Sequence, residues 1–188
     1  MKRRKFIQLS SKSSIALSAL SFHYVLPFIS SCFTSDQLNT IHLNEMKDWH
    51  IIVSSDAIPN ERYAAEEFQR LFKAITSSEL KIDTETGDKR AIYIGKSALN
   101  QPHSLNFTTS TLGEEGLHIR VDKDKLLIAG GRPRGTLYGV YEFFERYSGV
   151  RFLTADHTYV PQNASDISIP LVDFIYVPQF FFRWSYYE

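Results

Sequence analysis

The sequence predicts an α+β fold in which two helices cover a small mixed sheet. Short β-prone apolar runs alternate with two stretches whose apolar residues recur every three or four positions, the spacing of one helix face. Two of the β-prone runs are separated by a Lys123-Asp124 turn, which predicts a hairpin. The resulting order of strand, helix, strand, hairpin and helix predicts one layer of strands beneath one layer of helices.

The chain is organised around residues 126–153, where an apolar strand, a glycine-rich turn and an amphipathic helix follow one another. The predicted buried stripe of this helix consists of Leu137, Val140, Tyr141, Phe144 and Tyr147. Gly149 stands at the position of a left-handed C-terminal cap, with Val150 placed to fold back onto the last turn. Gly139 predicts a close contact with a strand, because glycine costs about 1 kcal/mol relative to alanine inside a helix.

An earlier helix is expected to begin at Pro59, with Asn60 as its cap. Its predicted buried face comprises Tyr63, Ala64, Phe68, Leu71, Phe72 and Ile75. The charged residues of the same segment are expected to face solvent; they are Glu61, Glu66, Glu67, Arg70 and Lys73.

The remaining elements are predicted from β-prone composition. Strands are expected at residues 40–43, 49–53, 80–82 and 91–95, the last lying centrally in the sheet. The hairpin pairs residues 114–122 with 126–129, and its first strand alternates so that His118 and Arg120 lie opposite the apolar face. Beyond Arg151 the helical period is lost, which predicts a loop. Two further β-prone segments follow at residues 167–169 and 172–176.

Residues 1–31 have the order of an export signal: a basic start, a moderately apolar middle and a cleavage region. Arg3 and Arg4 resemble the paired arginines of twin-arginine export. Residues 29–32, Ile-Ser-Ser-Cys, resemble a lipobox, which makes Cys32 the expected site of lipid attachment; the alternative is an ordinary small residue near the cleavage site. We therefore expect a lipid-anchored protein in the periplasm or on the outer surface, with residues 32–39 as its tether.

Charge and composition exclude several classes of partner and site. Five basic residues precede Cys32, so the remaining 16 basic and 21 acidic residues give a formal charge of minus five, which argues against nucleic-acid binding. The six histidines lack metal-ligand spacing and there is one cysteine, so we predict no metal site, no cofactor and no intrachain disulfide. The acidic pairs Glu66-Glu67 and Glu114-Glu115 are adjacent in sequence, whereas glycoside hydrolysis requires two carboxyl groups facing each other over about 5–10 Å.

The glycine-rich turn, residues 130–136, follows a strand and opens a helix as a phosphate-binding loop does. It lacks the lysine and hydroxyl pair of that loop and is not a dinucleotide motif, so a nucleotide site is not predicted. Arg132, Arg134 and the helix N-terminus leave open an anion site, for example for a uronic-acid carboxylate. The favoured interpretation is a tight strand-to-helix turn with solvated arginines.

The last eleven residues, PQFFFRWSYYE, include six aromatic residues. Such a segment is too apolar for a free end in water, so it predicts the first strand of a further domain.

Four segments resemble the N-terminal accessory domains of secreted bacterial glycoside hydrolases. They are ERYAAEEFQRLF, AIYIG, EEGLHIRV and a Gly-x-x-x-Gly-x-x-Tyr-Gly-x-x-x-Phe helix beginning at Gly131. The families concerned are the family 67 α-glucuronidases, the family 20 β-hexosaminidases and domain of unknown function 4838. The resemblance spans residues 43–188 and implies a domain that precedes a (β/α)8 barrel.

Within family 20, the entry to the barrel has a Pro-x-Phe-x-x-Arg pattern that Pro178, Phe180 and Arg183 match. The resemblance implies that Arg183 contacts sugar hydroxyls; the alternative is an arginine stacked among aromatic rings. Because the barrel would carry the catalytic acid and base, the resemblance implies no catalytic residue within this chain.

The resemblance therefore implies a non-catalytic part of a protein of polysaccharide degradation, with carbohydrate as the partner of the barrel. The predicted layout is an export signal at 1–31, a tether at 32–39, the α+β domain at 40–160, and a linker with the start of the barrel at 161–188. A stand-alone surface module that binds carbohydrate or protein through its aromatic end is the alternative.

Overall fold

The computed structural model describes residues 39–85, 90–101, 107–161 and 167–180. The predicted export signal with Arg3 and Arg4, the predicted lipid site Cys32 and the predicted sugar contact Arg183 lie outside these ranges. None of the helices within them is long and apolar enough to cross a membrane.

Ten strands and three α-helices make up the described ranges. The strands are β1 (Thr40–His42), β2 (His50–Val53), β3 (Lys81–Asp83), β4 (Ala91–Ile94), β5 (Leu117–Val121), β6 (Lys125–Gly130), β7 (Arg151–Thr154), β8 (His157–Tyr159), β9 (Ser168–Pro170) and β10 (Val172–Tyr176). The helices are α1 (Pro59–Thr76), α2 (Lys96–Leu99) and α3 (Gly135–Tyr147), and a 3₁₀ helix spans Leu43–Asp48.

A six-stranded mixed sheet in the order β10-β5-β6-β4-β2-β3 forms the centre of the domain. Strands β6, β4, β2 and β3 run parallel, whereas β5 is antiparallel to both of its neighbours. The predicted hairpin is β5 with β6, where Ile119 lies opposite Ile128. Strand β4 lies inside the sheet as predicted, with all four of its residues buried.

Helices α1 and α3 cover the same face of this sheet, which confirms the predicted α+β class. Four fully buried phenylalanines fill the space between the helices and the strands: Phe68, Phe72, Phe143 and Phe144. The opposite face carries a smaller apolar cluster in which Ile52, Tyr93 and Leu127 are buried with Ala98 of α2 and with Phe107. Neither α2 nor this second cluster was predicted from the sequence.

Helix α3 ends as the sequence predicts. Gly149 has a φ of +75°, the predicted left-handed conformation, and the Val150 N–H donates to the Phe144 carbonyl at 3.3 Å, so the chain folds back onto the last turn. At Gly139 an added Cβ would lie 2.8 Å from Cγ2 of Ile128, so the predicted close contact between helix and strand is present. Phe143, which is missing from the predicted stripe, is fully buried.

Helix α1 differs from the prediction in which side chains it buries. Tyr63 is 47% exposed, while Glu61 and Glu67, both predicted to face solvent, are 3% and 8% exposed. Asn60 lies inside the first turn and donates to the Pro133 carbonyl, so the N-cap is Ile58 without a side-chain hydrogen bond. The burial of the two carboxylates has a physical reason, because Arg132 before α3 pairs with Glu61 and Tyr141 on α3 donates to Glu67.

Beyond Arg151 the chain is more regular than predicted. Strands β7 and β8 form a two-stranded hairpin where a loop was expected. Strand β9 pairs with β1, and β10 adds the edge strand of the central sheet beside β5. The folded domain thus extends to Tyr176, into the segment expected to be a linker.

A polar cluster around the buried Glu67 joins α1 to α3. Both nitrogens of the Arg70 guanidinium fork donate to Glu67 at 2.8 Å, and the Tyr141 hydroxyl donates to the same carboxylate at 3.1 Å. The hydrogen bond from Arg70 holds the pKa of Glu67 below its usual range, against the opposing effect of burial. Burial, together with the neighbouring Glu67, raises the pKa of Tyr141.

The lowered pKa makes the stability of the domain depend on pH in the acidic range. Because the pKa of Glu67 is lower in the folded state, its contribution is present above the unfolded pKa of about 4.3 and is lost as pH falls through the folded value. We expect Glu67→Gln to lower the free energy of unfolding by about 1 kcal/mol at pH 7 and by much less at pH 3. Urea unfolding at both pH values measures this difference. The exposed neighbour Glu66→Gln is the control, and an equal loss at both pH values would contradict the prediction.

Candidate functional site

A pocket of about 440 Å³ lies at the carboxyl ends of β4 and β6, and we call it the strand-end pocket. Its lining residues come from the first turn of α1, the start of α2, the segment before β5 and the turn after β6. They are Glu61, Gly95, Lys96, Leu99, Thr109, Ser110, Gly113, Ala129, Gly130, Gly131 and Arg132. The pocket thus includes the first part of the glycine-rich turn singled out in the sequence.

Glu61 supplies the buried acid of this pocket. Its Oε1 accepts a hydrogen bond from the Arg132 guanidinium at 3.3 Å. Its Oε2 is buried and has no hydrogen-bond partner among the described residues. Gly95 makes room for this side chain, because an added Cβ there would lie 2.7 Å from the Glu61 carboxyl carbon. The φ of +68° at Gly95 also favours glycine.

The glycine-rich turn is held by hydrogen bonds within the domain. The Gly130 N–H donates to the Thr136 hydroxyl at 3.1 Å, and the Gly131 N–H donates to the Gly116 carbonyl at 2.9 Å. The Gly135 N–H donates to the Gly131 carbonyl at 2.7 Å. These three amides are therefore committed to the fold, unlike the free amides that cradle a phosphate.

The two arginines of the turn are paired with carboxylates. Arg132 contacts Glu61, and Arg134 lies 3.6 Å from Glu115. Both are about half exposed. The structure accordingly supports the tight-turn interpretation over the anion site, although the arginines form ion pairs and are not simply solvated.

Lys96 stands at the rim of the strand-end pocket and is paired with Asp56. Hydrogen bonds from Lys96 and then from Ser54 lower the pKa of Asp56 to about 2. The buried Ser97 hydroxyl donates to the carbonyls of Ile52 and Ile94, so it fixes the start of α2 against the ends of two strands. The rim lysine is therefore positioned by a well-anchored segment.

A second, larger depression of about 780 Å³, which we call the C-terminal groove, lies beside the glycine-rich turn. It is lined by residues 111–115, Arg134 and residues 177–180. Glu114 and Glu115 are its acidic residues, and Phe180 is 69% exposed at its edge. Across the described ranges, no group of three or more histidine, aspartate or glutamate side chains is arranged to hold a metal ion.

The fold is similar to parts of three solved enzyme structures. Over 77% of its length the chain superposes on part of a mutant β-hexosaminidase from Streptomyces plicatus in complex with GlcNAc, at a TM-score of 0.50 and 12% identity. A family GH115 4-O-methyl-α-glucuronidase with specificity for decorated arabinogalactans matches 52% of the chain at a TM-score of 0.41 and 24% identity. A GH138 enzyme targeting pectin rhamnogalacturonan II matches 60% of the chain at a TM-score of 0.38 and 18% identity.

The sequence matches the family described as Glycosyl hydrolase family 67 N-terminus over residues 35–143. The chain belongs to this family, which confirms the resemblance seen in the sequence. A search of curated proteins found no significant match. The chain spans only 24%, 13% and 15% of the lengths of the β-hexosaminidase, the glucuronidase and the pectin-targeting enzyme, respectively.

Proposed function

We propose that this chain is the non-catalytic N-terminal part of a secreted glycoside-hydrolase-like protein that acts in polysaccharide degradation. The observation that carries the proposal is the family match over residues 35–143, since the family is defined by the N-terminal part of a glycosyl hydrolase. The domain would stand beside a catalytic barrel, support its folding and leave hydrolysis to it.

The acidic residues of the two depressions favour a non-catalytic role. Hydrolysis of a glycosidic bond requires two carboxyl groups on opposite sides of the bond. In the strand-end pocket the acidic lining residue is Glu61, which is buried and paired with Arg132. In the C-terminal groove Glu114 and Glu115 are neighbours in sequence, and Glu115 is paired with Arg134.

The exposed apolar residues at the end of β10 and just after it favour a contact with a further domain. Ile175, Tyr176, Val177 and Phe180 are each at least 45% exposed, and they follow one another along the last described segment. A cluster of exposed apolar side chains of this kind marks an interaction site in soluble proteins. We propose that the catalytic barrel covers it and that Arg183, a few residues further on, contacts sugar hydroxyls there.

Expression of this chain beside a version extended into the downstream reading frame tests the accessory role. Both proteins are assayed on aryl glycosides and aldouronic oligosaccharides. We expect turnover from the extended protein alone, and expect removal of residues 40–176 from it to reduce the soluble yield of the remainder. Turnover by the short chain would overturn the proposal. Glycan binding by the short chain without any barrel-encoding extension would favour the stand-alone surface module instead.

We further propose export directed by Arg3 and Arg4 and lipid anchoring at Cys32. Lipid attachment requires the cysteine thiol, so Cys32→Ser should move the protein from the membrane fraction to the soluble fraction. Cell fractionation followed by immunoblotting measures the distribution, with Ser31→Ala as a neighbouring control that keeps the thiol. Continued membrane retention of Cys32→Ser would indicate an uncleaved apolar helix and contradict lipid anchoring.

A further inference from the structure

We propose that the strand-end pocket binds a small neutral sugar, recognised through its hydroxyl groups by Glu61. This inference goes beyond the accessory role, and it holds whether or not a catalytic domain follows. It rests on the position of the pocket in the sheet, on one unpaired buried atom and on the charges at the rim.

The position is one at which α/β sheets commonly bind ligands. Strands β4 and β6 are parallel neighbours, but α2 after β4 covers one face of the sheet and α3 after β6 covers the other. When the helices that follow two neighbouring parallel strands lie on opposite faces of the sheet, a crevice forms outside the carboxyl ends of those strands. The strand-end pocket lies at this crevice, and its volume of about 440 Å³ is within the usual range for small-molecule sites.

The unpaired atom is Oε2 of Glu61, a residue that is 3% exposed. A buried carboxyl oxygen requires a hydrogen-bond partner whether the group is charged or neutral, because burial without one costs the lost hydration. Arg132 serves the other oxygen, Oε1. Glu61 lines the strand-end pocket, so this unpaired acceptor lies at the pocket wall.

The charges around the pocket select the kind of donor. Lys96 and Arg132 at the rim disfavour a cationic ligand, and the buried Glu61 carboxyl disfavours an anionic one. The hydroxyl-bearing residues Thr109 and Ser110 add groups that both donate and accept. A neutral ring with several hydroxyl groups satisfies the acceptor and the donors together.

Amide chemical shifts test the proposal on the full chain, purified in a zwitterionic detergent without a sugar headgroup. D-xylose, D-galactose and N-acetyl-D-glucosamine are titrated singly to about 50 mM, with D-glucuronate as the charged comparison. We expect at least one neutral sugar to shift the amide resonances of Gly95, Gly130 and Gly131, and to do so more strongly than glucuronate.

Three variants locate the binding. Glu61→Ala should weaken the affinity about tenfold, the usual effect of losing a hydrogen bond to a charged group. Ser110 is exposed at the pocket rim, so Ser110→Trp should block the pocket and abolish binding without disturbing the fold. This variant tests the proposal even if Glu61→Ala does not fold. The exposed Glu66→Gln on the same helix should bind as the wild type does. The proposal is overturned by an absence of shifts with every sugar, by shifts that survive Ser110→Trp, or by glucuronate binding as tightly as the neutral sugars.

Discussion

Replacing Gly131 with alanine should prevent the domain from folding. An added Cβ at this position would lie 1.5 Å from the Gly113 carbonyl oxygen, and both atoms belong to backbone that cannot rotate away. Overpacking in a core ordinarily costs about 1–3 kcal/mol, and a clash this deep should exceed that range. Since a domain has only about 5–15 kcal/mol of stability, we expect insoluble protein or a spectrum without fixed structure.

Gly113→Ala provides the matched control for this prediction. Gly113 has a φ of +64°, but an added Cβ there would meet no atom within 4 Å. The cost should be that of a left-handed alanine alone, about 1–2 kcal/mol. Soluble yield, far-UV circular dichroism and urea unfolding compare the two variants. A Gly131→Ala protein as stable as Gly113→Ala would show that the two loops are further apart than the structure places them.

Phe68→Ala should produce the largest loss of stability among side-chain truncations of α1. The Phe68 ring is fully buried, and its centroid lies 4.8 Å from that of Phe144 and 5.6 Å from that of Phe143. Truncation removes the contacts that join α1 to α3 above the sheet and leaves a cavity. We expect the free energy of unfolding to fall by about 3–5 kcal/mol, measured by urea denaturation at pH 7.

Tyr63→Ala on the same helix is the comparison for Phe68→Ala. Tyr63 is half exposed, so its truncation should cost no more than about 1 kcal/mol. Similar losses in both variants would mean that α1 does not present Phe68 to the core.

Elements set by local sequence were predictable. The end of α3 followed from Gly149 and Val150, because a left-handed cap and its returning amide are properties of a few adjacent residues. The β5–β6 hairpin followed for the same reason. Gly139 indicated its contact with a strand because a helix interior otherwise excludes glycine.

Elements set by distant partners were not predictable. His118 was placed only on the face opposite Leu117, whereas in the structure it is fully buried, its Nε2 lies 2.5 Å from an Asp173 carboxylate oxygen and its ring stacks on Phe107. Asp173 reaches it because β10 pairs with β5 in one particular register. No local pattern gives the register between strands so far apart in sequence.

The candidate site likewise has one part that was predictable from the sequence and one part that was not. The glycine-rich turn was recognisable from its sequence, but the partner of its arginine was not. Glu61 has the sequence context of a solvated helix residue, and it becomes a buried acid only because Gly95 and Arg132 lie against it. The export signal, Cys32 and Arg183 stay predictions from the sequence.

The pairing of β1 with β9 bears on how the protein is made. Thr40 lies opposite Pro170, so strands from near the two ends of the domain hold each other, and β10 closes the sheet edge immediately afterwards. During synthesis the central parallel strands and α1 emerge from the ribosome long before their last partners. The nascent domain therefore has an open sheet edge and an unpaired first strand until residue 176 has left the exit tunnel. During this period the open edge is accessible to chaperones.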